Sequence, residues 1–274
     1  MNITGKTKIT GIFGYPVEHT LSPSMHNAAF EHLGLDYCYL PFSVRPDYLG
    51  QAVEGIRALG MTGVSVTVPH KEAVMPFLDE ISIEAEFIGA VNTIINSAGK
   101  LTGFNTDGRG FMRSIAENGI DLSGKKVLIV GAGGAARAVS YYLSEKAESL
   151  FIYNRNRERL NVLVSDLSKL RSNVTAKADI DNISGVDIII NATSLGMKTE
   201  DPLPVSPGLL HKNHVVCDLI YKKTRLLEAA ADRGCKTMDG LGMLLYQGVL
   251  AFELWTSINP PIEIMKNALV SGMR

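Results

Sequence analysis

Val127-Leu128-Ile129-Val130-Gly131-Ala132-Gly133-Gly134-Ala135-Ala136 is the stretch from which the rest of the chain is read. Consecutive apolar residues over 127–130 make a buried strand. The chain then runs into Gly-x-Gly-x-x-Ala, and a helical pattern follows over 134–145. Gly131 permits the tight turn. Gly133 lets the backbone approach a pyrophosphate, and Ala136 is small enough for helix and strand to pack closely. Ala132, Gly134 and Ala135 bring backbone N–H groups to the helix start, where unpaired donors and the helix dipole favour phosphate. A purely structural turn is the alternative. The strand–turn–helix context favours a dinucleotide site.

The next strand, over 150–153, narrows the choice of cofactor. A free ribose 2′-OH is held by an Asp or Glu at that strand's end. Here the sequence is Tyr153-Asn154-Arg155-Asn156-Arg157-Glu158-Arg159, with no acid at the tip and several arginines crowding it. Guanidinium groups suit bidentate phosphate binding. Arg155 and Arg159 together are therefore read as a 2′-phosphate site, which selects NADP over NAD. Arg157 is read as part of a solvated helix start.

Working outward, short apolar strands alternate with amphipathic helices along most of the chain. Strands are expected over 9–13, 37–42, 63–67, 187–191, 214–219 and 236–238. Two further runs, 91–96 and 100–104, flank Gly99 as a hairpin. Helices are expected over 23–33, 47–58, 106–118, 157–170, 224–233, 241–255 and 262–270, with others starting near Pro69 and near 83–87. Strands that are apolar throughout imply parallel sheets covered on both faces, hence an α/β fold. The polar segment 118–123 is a candidate domain boundary.

Composition excludes several classes. The 274 residues carry 27 basic and 28 acidic side chains, so no nucleic-acid partner is expected. Lys6 and Lys8 precede an apolar stretch broken by Gly11, Gly14 and Pro16, which reads as strand and turn, not as a secretory signal. No uncharged run reaches membrane-spanning length, so no membrane association is expected. Cys38, Cys217 and Cys235 are far apart and fit a reducing compartment; the expected location is cytoplasmic. His211 and His214 lack a third ligand, so no metal is expected.

The first half holds polar residues at the ends of apolar segments, where α/β sheets gather ligands. Ser22 before Pro23 reads as an N-cap and N1 pair, and its hydroxyl also suits a carboxylate ligand. Lys71, in Val66-Thr67-Val68-Pro69-His70-Lys71, is either a surface lysine or a site residue. His70 lacks a visible partner for a catalytic role. Asp107, in Asn105-Thr106-Asp107, is either a helix cap or a site residue.

Taken together, these segments resemble the shikimate dehydrogenase family over nearly the whole chain. The match includes Ser22-Pro23 with His26-Asn27, 66–71, Gly89-Ala90-Val91-Asn92-Thr93 and Gly103-Phe104-Asn105-Thr106-Asp107-Gly108. It continues through 131–136, Asn154-Arg155, 191–197, Asp218-Leu219-Ile220-Tyr221, and Gly240-Leu241-Gly242-Met243-Leu244 with Gln247. The resemblance implies NADP-dependent, reversible reduction of 3-dehydroshikimate to shikimate, on the route to chorismate and the aromatic amino acids. It implies an N-terminal α/β substrate domain, 1–107 with 241–274, and a Rossmann-type NADP-binding domain, 108–240, with a cleft between them. Lys71 and Asp107 match the catalytic pair. Thr20, Ser22 and Tyr221 match positions that hold the substrate carboxylate; Thr67, Asn92 and Gln247 match those that bind its ring hydroxyls. Thr193, Leu219, Gly240 and Met243 fall where the family lines the nicotinamide. The family usually has Ser where this chain has Thr20. The added methyl narrows the carboxylate pocket and bears on the choice between shikimate and quinate. A quinate or dual quinate/shikimate dehydrogenase is therefore one alternative. The other is a non-catalytic nucleotide-sensing module, against which the retention of Lys71 and Asp107 argues. The expected partner is the small-molecule substrate, and the expected assembly a monomer or homodimer.

Overall fold

The computed structural model describes residues Ile3–Met273. The chain forms two compact units, one of residues 1–106 with 247–274 and one of residues 107–246.

The first unit begins with β1 (Lys8–Gly14), α1 (Ser22–His32), β2 (Tyr37–Ser43), α2 (Leu49–Ala58) and β3 (Gly63–Val66). It continues with β4 (Glu80–Ile81), α3 (Ile83–Ile88), β5 (Thr93–Ser97) and β6 (Lys100–Phe104). Its sheet order is β2-β1-β3-β5-β6-β4. Strands β2, β1 and β3 are parallel, whereas β5 runs antiparallel to both β3 and β6. The expected hairpin is present as β5–β6, and it makes this sheet mixed where a parallel one was expected. A two-residue turn at Ala98 and Gly99, both with positive φ, reverses the chain there, and antiparallel pairing is what so short a connection permits. A core of Val53, Ile56, Val64, Ile94 and Leu101 lies on one face of the sheet.

The helix expected near Pro69 is absent. Residues 71–74 form turns, followed by a short 3₁₀ segment at Met75–Phe77. Pro76 explains this: it lacks the N–H that a continuing helix needs, and it disfavours helical geometry at Met75.

The second unit holds α4 (Asp107–Glu117), β7 (Lys126–Val130), α5 (Gly134–Lys146), β8 (Ser149–Tyr153), α6 (Arg157–Ser168) and β9 (Val174–Ala176). Then come β10 (Ile188–Asn191), β11 (Val215–Asp218), α7 (Arg225–Asp232) and β12 (Lys236–Met238). Residues 118–123 are the connection from α4 to β7, inside this unit. The sheet order is β12-β11-β10-β7-β8-β9, and every pairing is parallel. Leu128, Ile129, Ile189 and Val216 are fully buried in its central strands, each contributing roughly 1.5–3 kcal/mol of burial. Cys217 sits among them on β11 and Cys235 precedes β12, while Cys38 lies on β2; all three thiols are free and buried. Helix α8 (Leu241–Thr256) leads back to residues of the first unit, and α9 (Ile262–Ser271) closes the chain.

Candidate active site

In the second unit the site is built where β7, β8 and β10 end. Gly131 has φ +126, and a Cβ there would lie 2.8 Å from the Ala192 carbonyl oxygen. Only glycine fits both demands. Around Gly133 and Gly134 the opposite holds: a Cβ would meet no protein atom within 4 Å. Gly133 precedes α5, and no side chain caps that helix. By contrast, Ser82, Asn156 and Thr224 cap α3, α6 and α7 through their side chains. Open space in front of uncapped N–H groups is what an incoming pyrophosphate requires.

A cavity of ≈ 680 Å³ opens there. Of the residues singled out from sequence, Gly131, Ala132, Gly133, Asn154, Arg155, Arg159 and Thr193 line it. Its lining holds two guanidinium groups and no carboxylate. Among the described residues, neither the Arg155 nor the Arg159 side chain has a hydrogen-bond or ion-pair partner, and both are exposed. Arg157 is employed otherwise. It donates to the Lys177 and Ala178 carbonyls and lies over the Tyr153 ring. This donor set fits a dinucleotide bearing a 2′-phosphate, with Arg155 and Arg159 for the phosphate and the Gly131–Gly133 turn for the pyrophosphate.

Gly134 and Ala135 open α5. Leu219 and Gly240 are in tight contact, since a Cβ on Gly240 would stand 2.1 Å from the Leu219 carbonyl oxygen. Met243 is buried on α8. Two residues given no role from sequence organise these loops. Asn191, at the end of β10, accepts from Thr193 N (3.1 Å) and Thr193 Oγ1 (2.7 Å), and donates to Asp218 Oδ1 (3.0 Å). Asp218, at the end of β11, also receives Ile220 N and Thr224 Oγ1. Burial raises its carboxyl above the ordinary carboxylate range, opposed by those hydrogen bonds. The signal was present in the sequence: Ile-Ile-Ile-Asn and Val-Val-Cys-Asp each end an apolar strand on a polar residue. Burial also pushes the neighbouring Cys217 thiol up to about 12, with Asp218 adding to the effect. Its thiol therefore stays protonated and inert.

In the first unit, three polar residues lie at the neighbouring ends of adjacent strands. Thr67 follows β3, Asn92 precedes β5, and Thr106 follows β6; the register sets Ser65 opposite Thr93 and Thr93 opposite Phe104. Asn92 is buried, and its Oδ1 accepts Thr106 N at 2.8 Å. Thr106 Oγ1 donates to the Gln247 carbonyl at 3.1 Å, so the Asn92 and Gln247 positions are joined through one threonine. Lys71 is half-buried, and its carbonyl accepts Val91 N at 2.8 Å, which ties it beside Asn92. His70 is accounted for: its Nε2 lies 2.7 Å from the Val44 carbonyl, a pure acceptor, so that nitrogen carries the proton and serves structure.

Ser22 is not the N-cap expected from sequence. Helical geometry already begins at Leu21, which makes Ser22 the first helical residue, and no side chain caps α1 by the usual bond. Thr20 Oγ1 instead accepts Ser22 N at 3.4 Å. The Ser22 hydroxyl is thus not used by its own helix. It lies beside the buried Tyr39 phenol, which burial pushes upward while the Ser65 and Ser22 hydroxyls oppose the shift. Asp107 begins α4 and is buried; Tyr221 belongs to the second unit and is exposed. Among the described residues no group of three or more His, Cys, Asp or Glu is arranged to hold a metal, and no helix is long and apolar enough to cross a membrane.

Family models match along the chain: a shikimate dehydrogenase substrate-binding domain at residues 12–94, a shikimate/quinate 5-dehydrogenase at 114–199, and a shikimate 5′-dehydrogenase C-terminal domain at 240–270. The chain is 51% identical to a protein of Desulforamulus reducens named shikimate dehydrogenase (NADP(+)), covering 97% of this chain and 96% of the relative. It is similar to a crystal structure of a shikimate dehydrogenase in complex with NADP+, with TM-score 0.93, 41% identity, and coverage of 100% and 98%. It is also similar to the Thermus thermophilus shikimate 5-dehydrogenase in complex with NADP(H) and shikimate, with TM-score 0.89, 36% identity, and coverage of 97% and 99%.

Proposed function

The chain belongs to the shikimate dehydrogenase family, and from that premise we propose that Lys71 and Asp107 handle the proton in its reaction. It is an NADP-dependent oxidoreductase that reversibly reduces 3-dehydroshikimate to shikimate. The observation that carries this activity is full-length identity of 51% to a relative bearing that name.

When bound, NADP(H) supplies or takes a hydride at nicotinamide C4. The residues of the chain do the rest. The Lys71 ammonium gives a proton to the carbonyl oxygen as the alcohol forms, and the amine takes it back in the reverse direction. Asp107 orients Lys71 and shares that proton, so the two act as one coupled pair. Thr20, Ser22 and Tyr221 hold the substrate carboxylate. Thr67, Asn92 and Gln247 hold the ring hydroxyls. Support for this assignment comes from the hydrogen bonds that join Asn92, Thr106 and Gln247, and from the Ser22 hydroxyl that its helix does not use. Arg155 and Arg159 hold the 2′-phosphate, Asn154 lines the same part of the cofactor cavity, and Thr193, Leu219, Gly240 and Met243 hold the nicotinamide. The domains that do this work are residues 1–107 with 241–274, and 108–240. Three buried free thiols support a reducing, cytoplasmic setting, and a monomer or homodimer needs no further partner.

The test is absorbance at the NADPH band with 3-dehydroshikimate as substrate. NADPH oxidation that depends on this ketone is expected; its absence overturns the activity. Thr20 is the specific reason to run quinate alongside. Oxidation of quinate at a rate matching shikimate would make the protein a dual quinate/shikimate dehydrogenase.

A further inference from the structure

We propose that Asp218 is the buried counter-charge to the oxidised nicotinamide ring, and so sets how the protein divides its affinity between NADP+ and NADPH. This rests on the NADP reading above.

Sheet order places Asp218 at the correct end of the cofactor. Adjacent strands run β8, β7, β10, β11. Arg155 follows β8, the Gly131 turn follows β7, Thr193 follows β10, and Asp218 ends β11. The dinucleotide has the same order: 2′-phosphate, pyrophosphate, nicotinamide. With neighbouring strands roughly 4.8 Å apart, the end of β11 lies one strand beyond Thr193, which lines the cavity.

The polarity of the network favours the ionised form of Asp218, against its burial. Thr193 N–H can only donate, and it donates to Asn191 Oδ1, so Asn191 Nδ2 faces Asp218 Oδ1. Ile220 N–H donates to the same oxygen at 3.1 Å. Thr224 Oγ1 accepts Leu227 N–H and gives its own hydrogen to Asp218 Oδ2 at 2.8 Å. Two obligate donors meet Oδ1 and a hydroxyl meets Oδ2, a set that stabilises an ionised carboxylate. Yet Asp218 has no exposed surface. Among the described residues no Lys, Arg or His pairs with it, and the charge that acts on it is Asp239, of the same sign. A buried anion without a partner is costly. A pyridinium at the adjoining loop supplies the missing positive charge. When a hydride and its electron pair move from the substrate carbon to ring C4, the ring becomes neutral and the counter-charge loses its partner. Asp218 thereby favours the oxidised cofactor selectively.

Asp218→Asn removes the charge and keeps the shape. The new Oδ1 still accepts from Asn191 and Ile220, and the new Nδ2 donates to Thr224, whose hydroxyl hydrogen turns away. Calorimetric titration of the protein without substrate, with NADP+ and with NADPH separately, gives the two dissociation constants. The ratio Kd(NADP+)/Kd(NADPH) is expected to rise about tenfold, or about 1.4 kcal/mol. Equal weakening of both cofactors, including loss of both, assigns Asp218 a scaffolding role only and overturns the proposal, as does no change. The exchange variant Asn191→Asp/Asp218→Asn keeps one carboxylate in the network at the cost of the Asn191 Nδ2 bond to the Leu195 carbonyl, which weakens both cofactors alike, and it restores a ratio close to that of the unmodified protein. A ratio as high as that of the single variant overturns the charge assignment. Where the single variant does not fold, the exchange variant is compared with the unmodified protein: a ratio close to it supports the charge assignment, and one about tenfold higher overturns it. Unmodified protein that binds neither NADP+ nor NADPH refutes the cofactor reading itself, whereas binding without a shifted ratio refutes only the role of Asp218.

Discussion

Replacing His26 by Phe should make the first unit less sensitive to acid. His26 is 1% exposed, stacks on Tyr39 at 4.4 Å between centroids, and lies 6.3 Å from Phe252. Neither ring nitrogen has a hydrogen-bond partner. Burial alone lowers its pKa from 6.5 to about 3. The sign follows from which state binds the proton. Between those values the unfolded chain protonates His26 and the folded chain does not. Stability is therefore complete above 6.5 and is lost as pH falls toward 3. The whole gap amounts to about 5 kcal/mol, and roughly 2 kcal/mol of it is lost by about pH 5. Phe keeps the aromatic stack and removes the proton site. It costs about 1–3 kcal/mol from overpacking at every pH, so the comparison is between the pH dependences of the two proteins. Urea unfolding near pH 7.5 and pH 5 reads this directly, because Trp255 is the single tryptophan and its ring lies 5.3 Å from His26. An equal loss of stability on acidification in His26→Phe and in the unmodified protein would refute this role for His26.

Three further outcomes are expected. Lys71→Ala should lower kcat by about 10²–10⁴-fold while calorimetry shows little change in NADPH affinity; near-normal turnover would remove Lys71 from the proton path. Gly131→Ala forces a side chain into φ +126 and against the Ala192 carbonyl, so thermal unfolding should reveal a cost of about 1–3 kcal/mol together with weaker NADP+ binding; unchanged melting and affinity would mean that the turn tolerates a Cβ. Arg155→Ala removes a charge-assisted contact worth about 1.5–3 kcal/mol, so the kcat/KM preference for NADP+ over NAD+ should drop by about ten- to a hundredfold. Equal use of both cofactors by the unmodified protein would contradict the 2′-phosphate assignment.

What the sequence revealed depended on how local each cause is. The Gly131 turn was legible because a positive φ and the open ground at Gly133 are written in consecutive residues. The central strands of the second sheet were legible because each carries a run of three or four consecutive apolar residues. Strands β4 and β9, of two and three residues, carry no period to detect. The segment after Pro69 has helical composition, but one proline removes the bond the helix needs. Ser22 fits a capping pattern, yet the helix starts one residue early and Thr20 takes the N–H. Arg155, Arg157 and Arg159 look alike in sequence. Only the carbonyls of Lys177 and Ala178, brought in by another strand, separate Arg157 from the other two. His26 and Asp218 owe their properties to neighbours distant in the chain, so burial and charge could not be read at those positions.

The three buried thiols also make the protein a clock of its own fluctuations. The thiolate is the form that reacts with alkylating reagents, and burial raises the pKa of all three cysteines. A reagent in solution therefore reports how often the surrounding structure opens. Cys38 sits in the first unit, and Cys217 and Cys235 in the second. Mass-resolved alkylation of the native chain can thus time the breathing of each unit separately, with no engineered probe, and show whether ligand slows one unit, the other, or both.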